Sequence, residues 1–165
     1  MSNKKLKIFL LAIFSVILAM ICISVYLSNK SQTLYLSKNV NKFKLITHSN
    51  EKFDDKLFSN HPSLIFFGFL NCPDVCPFTL IKISEIINKL KDKSDFMRFY
   101  FVTVDPERDK IEELKEYLNA FHPKIIGVTG TNIGIENFLK YMYVYKKKIQ
   151  LDNNNYTIDH SSQIF

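Results

Sequence analysis

Leu64-Ile65-Phe66-Phe67-Gly68-Phe69-Leu70 is an apolar run, and Asn71-Cys72-Pro73-Asp74-Val75-Cys76-Pro77 follows it directly. No polar residue alternates within the run, which predicts a central strand covered on both faces. Beyond the turn, Leu80, Ile83, Ile87 and Leu90 recur at helical spacing and predict an amphipathic helix. Pro73 and Pro77 suit a first helical turn, where an amide N–H has no partner to lose. Two of the three cysteines in the chain therefore sit where a buried strand turns into a helix. If the helix begins at the turn, Cys72 and Cys76 share a face; if the turn stays a loop, the short tether still lets the sulfurs converge. A helix N-terminus favours negative charge, so thiolates are expected to form here more readily than in free cysteine. Two soft sulfurs so placed make either a redox pair or a soft-metal site.

Phe99 to Val104 reads as a second buried strand, so strand, helix and strand form a βαβ unit with the cysteines at the carboxyl end of its first strand. Asp105-Pro106 ends that strand. Asp109 and Glu112 have capping-box spacing and predict a helix with the apolar face Ile111, Leu114, Leu118 and Phe121. Ile125 to Val128 is a further short strand. Thr131 is placed to cap a third helix, with Ile135, Phe138, Leu139 and Met142 as its stripe. Phe43 to Thr47 alternates as a short strand, and Ser49 to His61 is polar and turn-rich. Lys146-Lys147-Lys148 reads as a solvated helix end rather than a docking patch, and Asp152 to Asn155 as a polar turn. The whole is an α/β domain.

Ile8 to Leu27 is an uncharged apolar run of 20 residues. At 1.5 Å per residue it spans about 30 Å, the thickness of a bilayer core. A cleaved signal peptide is the competing reading, but such segments are usually shorter and end in a small-x-small site, and no clear site follows. Cys22 lies inside the run and reads as a small apolar residue without chemistry. Lys4, Lys5 and Lys7 precede the run and keep the N-terminus in the cytoplasm. Lys30, Lys38, Lys42 and Lys44 beyond it weaken that vote, but long domains translocate largely regardless of charge. No arginine occurs before Arg98, which leaves no Arg-rich mitochondrial transit peptide and favours a bacterial inner membrane. The expected organisation is a cytoplasmic N-terminus (1–7), a single transmembrane anchor (8–27), a polar tether (28–42) and a periplasmic domain (43–165). The formal net charge of +6 comes mostly from the four lysines of residues 1–30; the remainder carries 22 − 4 = 18 basic and 16 acidic residues. That near-neutral remainder offers no electrostatic footprint for nucleic acid, and the partner implied by the basic flank is the lipid bilayer.

Among the histidines, His48, His61 and His122 lie in or beside polar or proline-containing turns and read as surface residues. His160 precedes the apolar pair Ile164-Phe165, which would join the central sheet and bring His160 toward Cys72 and Cys76. Met97 and Met142 read as core. Asp74 either tunes the cysteines or forms the turn, and Asp105 either faces the site or shapes the turn with Pro106.

Phe67-Gly68-Phe69, Cys72-Pro73-Asp74-Val75-Cys76-Pro77, Val102-Thr103-Val104-Asp105-Pro106-Glu107-Arg108-Asp109, Ile126-Gly127-Val128-Thr129-Gly130-Thr131 and Asp159-His160-Ser161-Ser162 together resemble the Sco/SenC family of copper chaperones, in the same order and over roughly Phe43 to Phe165. The resemblance implies a thioredoxin-like fold on a single membrane anchor. It implies a copper ion, Cu(I) or Cu(II), held by Cys72, Cys76 and His160. It also implies a role in assembling the dinuclear copper site of cytochrome c oxidase subunit II, with a copper donor or thiol reductant upstream, and no enzymatic turnover. The donor chemistry agrees, since two thiolates favour Cu(I) and an added imidazole makes Cu(II) acceptable. Zinc prefers a fourth ligand, and none is evident. Family members continue past the histidine through a completed strand, another strand and a final helix, so a chain ending at Phe165 is expected to expose a sheet edge and to be weakly stable. The alternative is a membrane-tethered thiol–disulfide reductase or redox sensor using Cys72 and Cys76. Against it stand three residues between the cysteines where thioredoxin-like reductases generally have two, and His160-Ser161 where they carry a cis-proline.

Overall fold

The computed structural model describes residues 3–54, 61–151 and 155–165. The chain divides into two compact units, Met1–Lys38 and Asn39–Phe165. The first is helical: α1 spans Asn3–Asn39 and so runs on through most of the stretch expected to be a tether. Its window Lys7–Tyr26 has a mean hydropathy of 3.0 and none of it is buried. An uncovered apolar helix of that length matches a bilayer core, and is compatible with a single-pass anchor.

The second unit is built on a sheet. The strands are β1 (Leu45–Thr47), β2 (Lys52–Phe53), β3 (Ser63–Gly68), β4 (Arg98–Thr103) and β5 (Ile125–Thr129). They lie in the order β2-β1-β5-β4-β3, with β3, β4 and β5 parallel and β1 antiparallel to both β2 and β5. The helices are α2 (Val75–Leu90), α3 (Ile111–Leu118) and α4 (Asn132–Tyr141). A separate antiparallel hairpin pairs β6 (Lys146–Gln150) with β7 (Tyr156–His160).

The unbroken apolar character of β3 and β4 has the predicted cause. Ile65, Phe67, Tyr100 and Val102 point into one core layer, shared with Ile135, Phe138 and Leu139 of α4 and Ile158 of β7. Phe66, Phe99 and Phe101 point into the other, against Leu80, Ile83 and Ile87 of α2 and Leu114 and Leu118 of α3. Successive strand residues alternate between two buried layers, so no polar position is left. Gly127 makes room for α3, because a Cβ there would stand 2.6 Å from both Leu114 Cδ2 and Leu118 Cδ1. At the outer edge of β3, Ile65 exchanges both backbone hydrogen bonds with Phe165, at 2.8 and 2.9 Å. The apolar pair Ile164-Phe165 thus joins the sheet as expected, and Phe165 packs edge-on against Phe67.

Several local expectations are corrected. Lys146-Lys147-Lys148 begins strand β6 rather than ending a helix, because pairing with Ile158 and its neighbours satisfies the backbone and lets Lys146 reach Glu136 at 3.0 Å. The helix after Asp109 starts at Ile111, and its N-cap, Lys110, makes no side-chain capping bond. His48 is half-buried, and its Nδ1 accepts from the Gly127 N–H at 2.7 Å. It is a structural residue whose pKa is lowered, chiefly by burial. Thr131 does cap α4, accepting from the Gly134 N–H at 3.1 Å. The turn expected at Asp152–Asn155 falls mainly outside the described residues; of the turn-rich stretch 49–61, residues 55–60 lie outside them, and Lys52–Phe53 forms strand β2 against β1 instead of a turn.

Candidate metal centre

The cysteine loop is held from three sides. The Gly68 carbonyl accepts from Val104 N–H at 2.7 Å, which ties the carboxyl ends of β3 and β4 together. Cys72 N–H donates to the Phe69 carbonyl at 3.2 Å and closes a tight turn. Leu70 N–H donates to Asp109 Oδ2 at 3.2 Å. The helix then begins, and the Cys76 N–H points back at Cys72 Sγ, 3.4 Å away. Cys72 is half-exposed, whereas Cys76 is fully buried. The reason is periodicity: Cys76, Leu80, Ile83 and Ile87 form one buried stripe, and the first member of that stripe is the cysteine. Its sulfur lies under Gly68, where an added Cβ would come within 2.9 Å of it.

This burial corrects the expectation of easy ionisation at Cys76. Desolvation pushes the Cys76 thiol up to about 12, and the neighbouring Cys72 sulfur adds to the rise. A helix terminus cannot offset the removal of a thiolate from water when the sulfur faces a core of Leu80 and Phe101.

His160 stands at the end of β7, half-buried and edge-on to Phe69 with ring centroids 5.8 Å apart. Its Nδ1 lies 2.9 Å from the Ser161 carbonyl oxygen. A carbonyl only accepts, so Nδ1 carries the hydrogen there and Nε2 keeps the lone pair a metal would need. Phe69, Cys72, Val75, Asp159 and His160 line one cavity of about 280 Å³. The fold therefore brings Cys72 and His160, 88 positions apart (160 − 72), to one opening, with the buried Cys76 next to Cys72 but outside the lining. Among the described residues, no three His, Cys, Asp or Glu side chains stand close enough together to hold a metal as they are. Asp74 is exposed and forms the N-cap of α2 without a side-chain bond.

The loop after β4 proves to be the common support, and sequence reasoning saw only part of it. Asp109 is buried and accepts from Thr103 Oγ1 at 2.6 Å as well as from Leu70. Asp105 is also buried. Its carboxylate accepts from Arg108 Nε and, at 2.9 Å, from the Tyr156 hydroxyl. Arg108 Nη1 donates to the Tyr156 carbonyl at 3.0 Å, and its guanidinium stacks 3.8 Å from the Tyr156 ring centre. Neither Asp109 nor Tyr156 carries a local signal for these roles, because their partners lie 39 and 51 residues away.

Asp109 yields a pH prediction. Burial raises its carboxyl to about 6, with the Thr103 and Leu70 bonds opposing. The unfolded chain releases the same proton near pH 4. The folded state therefore holds the proton more tightly, so this contribution to stability is full below about pH 4 and lost as pH rises through the folded value. With each pKa unit worth about 1.4 kcal/mol, the loss reaches roughly 3 kcal/mol. Asp109→Asn can keep both hydrogen bonds without titrating. It is expected to flatten the fall in melting temperature between pH 4 and pH 7, followed by circular dichroism of the full chain in detergent. Equal slopes for the two proteins would remove Asp109 as the cause.

The profile of the family described as SCO1/SenC matches residues 31–165. The chain belongs to the SCO1/SenC family. Among curated relatives, the SCO2-like protein RP587 of Rickettsia prowazekii is 43% identical over 122 residues, covering 73% of this chain and 60% of that protein. The mitochondrial Protein SCO1 homolog 1 of Arabidopsis thaliana is 37% identical over 120 residues, or 72% of this chain and 36% of that protein. The chain thus spans less than two thirds of the length of these SCO relatives. The structure of Bradyrhizobium japonicum ScoI with copper bound superposes with a TM-score of 0.71 at 37% identity, covering 73% of this chain and 76% of that one. The SCO1/SenC unit shares the thioredoxin-like fold of these structures, and homologous Sco proteins are known with copper bound.

Proposed function

We propose that Cys72, Cys76 and His160 carry a copper ion as cargo, and that the chain is a membrane-anchored copper chaperone for cytochrome c oxidase. The observation that carries this reading is the shared cavity: Cys72 and His160 line one opening, and the Cys76 N–H lies 3.4 Å from Cys72 Sγ. Two sulfurs and an imidazole suit Cu(I) and accept Cu(II). Binding replaces the thiol protons with the positive charge of the metal, which compensates the buried Cys76 sulfur for its lost hydration. Cys76 must turn from beneath Gly68 toward the opening as this happens. The Nδ1–H bond to Ser161 orients the imidazole and leaves Nε2 to bind. Three ligands on the rim of a sheet leave one side open, from which an acceptor can take the ion. The acceptor proposed is the dinuclear copper site of subunit II, with a copper donor or a thiol reductant acting before this chain.

The helix window Lys7–Tyr26 is proposed to hold the chain in a bacterial inner membrane as a single span. Lys4, Lys5 and Lys7 keep the N-terminus inside, and the SCO1/SenC unit then faces the periplasm.

Copper titration of the reduced full chain in detergent tests the site. One equivalent of Cu(II) with a thiolate charge-transfer band is expected for wild type, and His160→Ala is expected to lose the band. A second reading is dithiol–disulfide exchange between Cys72 and Cys76, favoured by the contact between the two residues. A folded protein whose copper binding ignores His160 would move the assignment to that reading.

A further inference from the structure

The hairpin that carries His160 forms no ladder with the five-stranded sheet. Beyond His160 the chain is tied to β3 by the backbone bonds between Phe165 and Ile65, and along the hairpin itself the position over the cysteines is set by side chains. Tyr156, Ile158 and His160 lie two residues apart on β7, so all three side chains leave the same face. Ile158 is buried in the core layer beneath β3 and β4. His160 reaches the cavity at one end. Tyr156 is gripped at the other: its hydroxyl donates to Asp105 and its carbonyl accepts from Arg108. Its ring lies between the Arg108 guanidinium, at 3.8 Å, and Lys148 Nζ, at 3.7 Å. Lys148 in turn pairs with Glu107 at 2.7 Å. Asp105, Glu107 and Arg108 belong to the same short loop whose Asp109 braces the cysteine turn through Leu70.

We infer that Asp105, Arg108 and Tyr156 form a latch that positions His160 against Cys72, making Tyr156 a positioning residue for the copper site. This rests on the copper reading above. One loop grips both halves of the site, Asp109 on the cysteine side and Asp105 with Arg108 on the histidine side. Two anchors along β7, the Tyr156 latch and the Ile158 side chain, fix the direction of the strand, and His160 is carried by it. Ile158 and the Phe165–Ile65 bonds beyond His160 remain when the latch is released, but neither holds the Tyr156 end of the strand. With the latch open, the strand swings and the fraction of molecules with His160 in place falls, and the apparent affinity falls with that fraction. The cation on each face of the ring and the hydroxyl bond to a buried carboxylate are the stronger kinds of polar contact.

Tyr156→Phe removes the hydroxyl and leaves the ring. Arg108→Lys keeps the charge but loses the planar stack and the fork. Both are made in the full chain in detergent, beside His160→Ala and the double variant Tyr156→Phe/His160→Ala. Losing a hydrogen bond to a charged acceptor is expected to weaken Cu(II) binding about tenfold in each latch variant. In the His160→Ala background, Tyr156→Phe is expected to change nothing further, since the latch acts only through the histidine. In the metal-free protein, amide hydrogen exchange is expected to quicken in β7 and stay unchanged in β4. Wild-type affinity in Tyr156→Phe and Arg108→Lys, where His160→Ala does weaken binding, would overturn the latch. So would an equal loss from Tyr156→Phe with and without His160, which marks a general structural effect. If His160→Ala itself leaves binding intact, the copper reading fails first. The exchange measurement then decides the latch separately: quickened β7 amides retain it, and unchanged ones dismiss it.

Discussion

Replacing Cys72 with serine is expected to abolish stoichiometric copper binding while leaving the fold nearly as stable as wild type. Cys72 is half-exposed on a turn, and a serine there stays in contact with water. Substitutions of that kind usually move stability by about 0.5 kcal/mol or less. Cys76→Ser is expected to lose copper as well, but at a cost to the fold. Cys76 is fully buried between Leu80, Phe101 and Gly68. A hydroxyl placed in that apolar stripe costs about 1–3 kcal/mol. The pair of variants therefore separates metal binding from stability. Competition of the reduced full chain against a chromophoric Cu(I) chelator, beside thermal melts, reads both. A Cys72→Ser protein that still takes one copper would remove Cys72 from the site. A Cys76→Ser protein as stable as wild type would contradict the burial of its side chain.

Gly68→Val is expected to damage fold and site together. A Cβ at this position would stand 2.7 Å from Phe101 Cε2 and 2.9 Å from Cys76 Sγ. Phe101 is fully buried and packs against Phe66 and Tyr117, so its ring has nowhere to withdraw. Overpacking of this kind costs about 1–3 kcal/mol, and valine adds two methyls beyond the Cβ. The sulfur must shift too, so copper affinity is expected to drop even at temperatures where the variant is folded. Unfolding in denaturant gives the first effect and the chelator competition the second. A variant that melts with wild type and binds copper normally would mean that the approach of Gly68 to Cys76 does not constrain the site. Gly68 is needed for this close approach rather than for its backbone angle, because no glycine in the described residues has a positive φ.

Much of the site was legible because its signals are local. The unbroken apolar run before Cys72 and the helical spacing after it each report burial through periodicity alone. Ile164 and Phe165 join the edge of β3 as the sequence suggested, through backbone pairing, although both side chains stay exposed there. The burial of Cys76 was also present in the sequence, as the residue four before Leu80, yet the helix was read from Leu80 onward. Asp109 misled because capping spacing describes a helix start, and a buried acceptor 39 residues from its donor leaves no trace at short range.

The amino-acid order by itself determined the class of fold, the apolar span and the family, and pointed to the three proposed donors, because each signal lies in patterns within a few positions. Only the tertiary structure decided which cysteine faces water and which is sealed beneath Gly68. It alone decided that the loop Asp105–Asp109 holds both sides of the site, and that His160 rides on a hairpin anchored by Tyr156. Those facts depend on which strand ends become neighbours and on how much water they exclude. Neither quantity is carried by any one stretch of the chain.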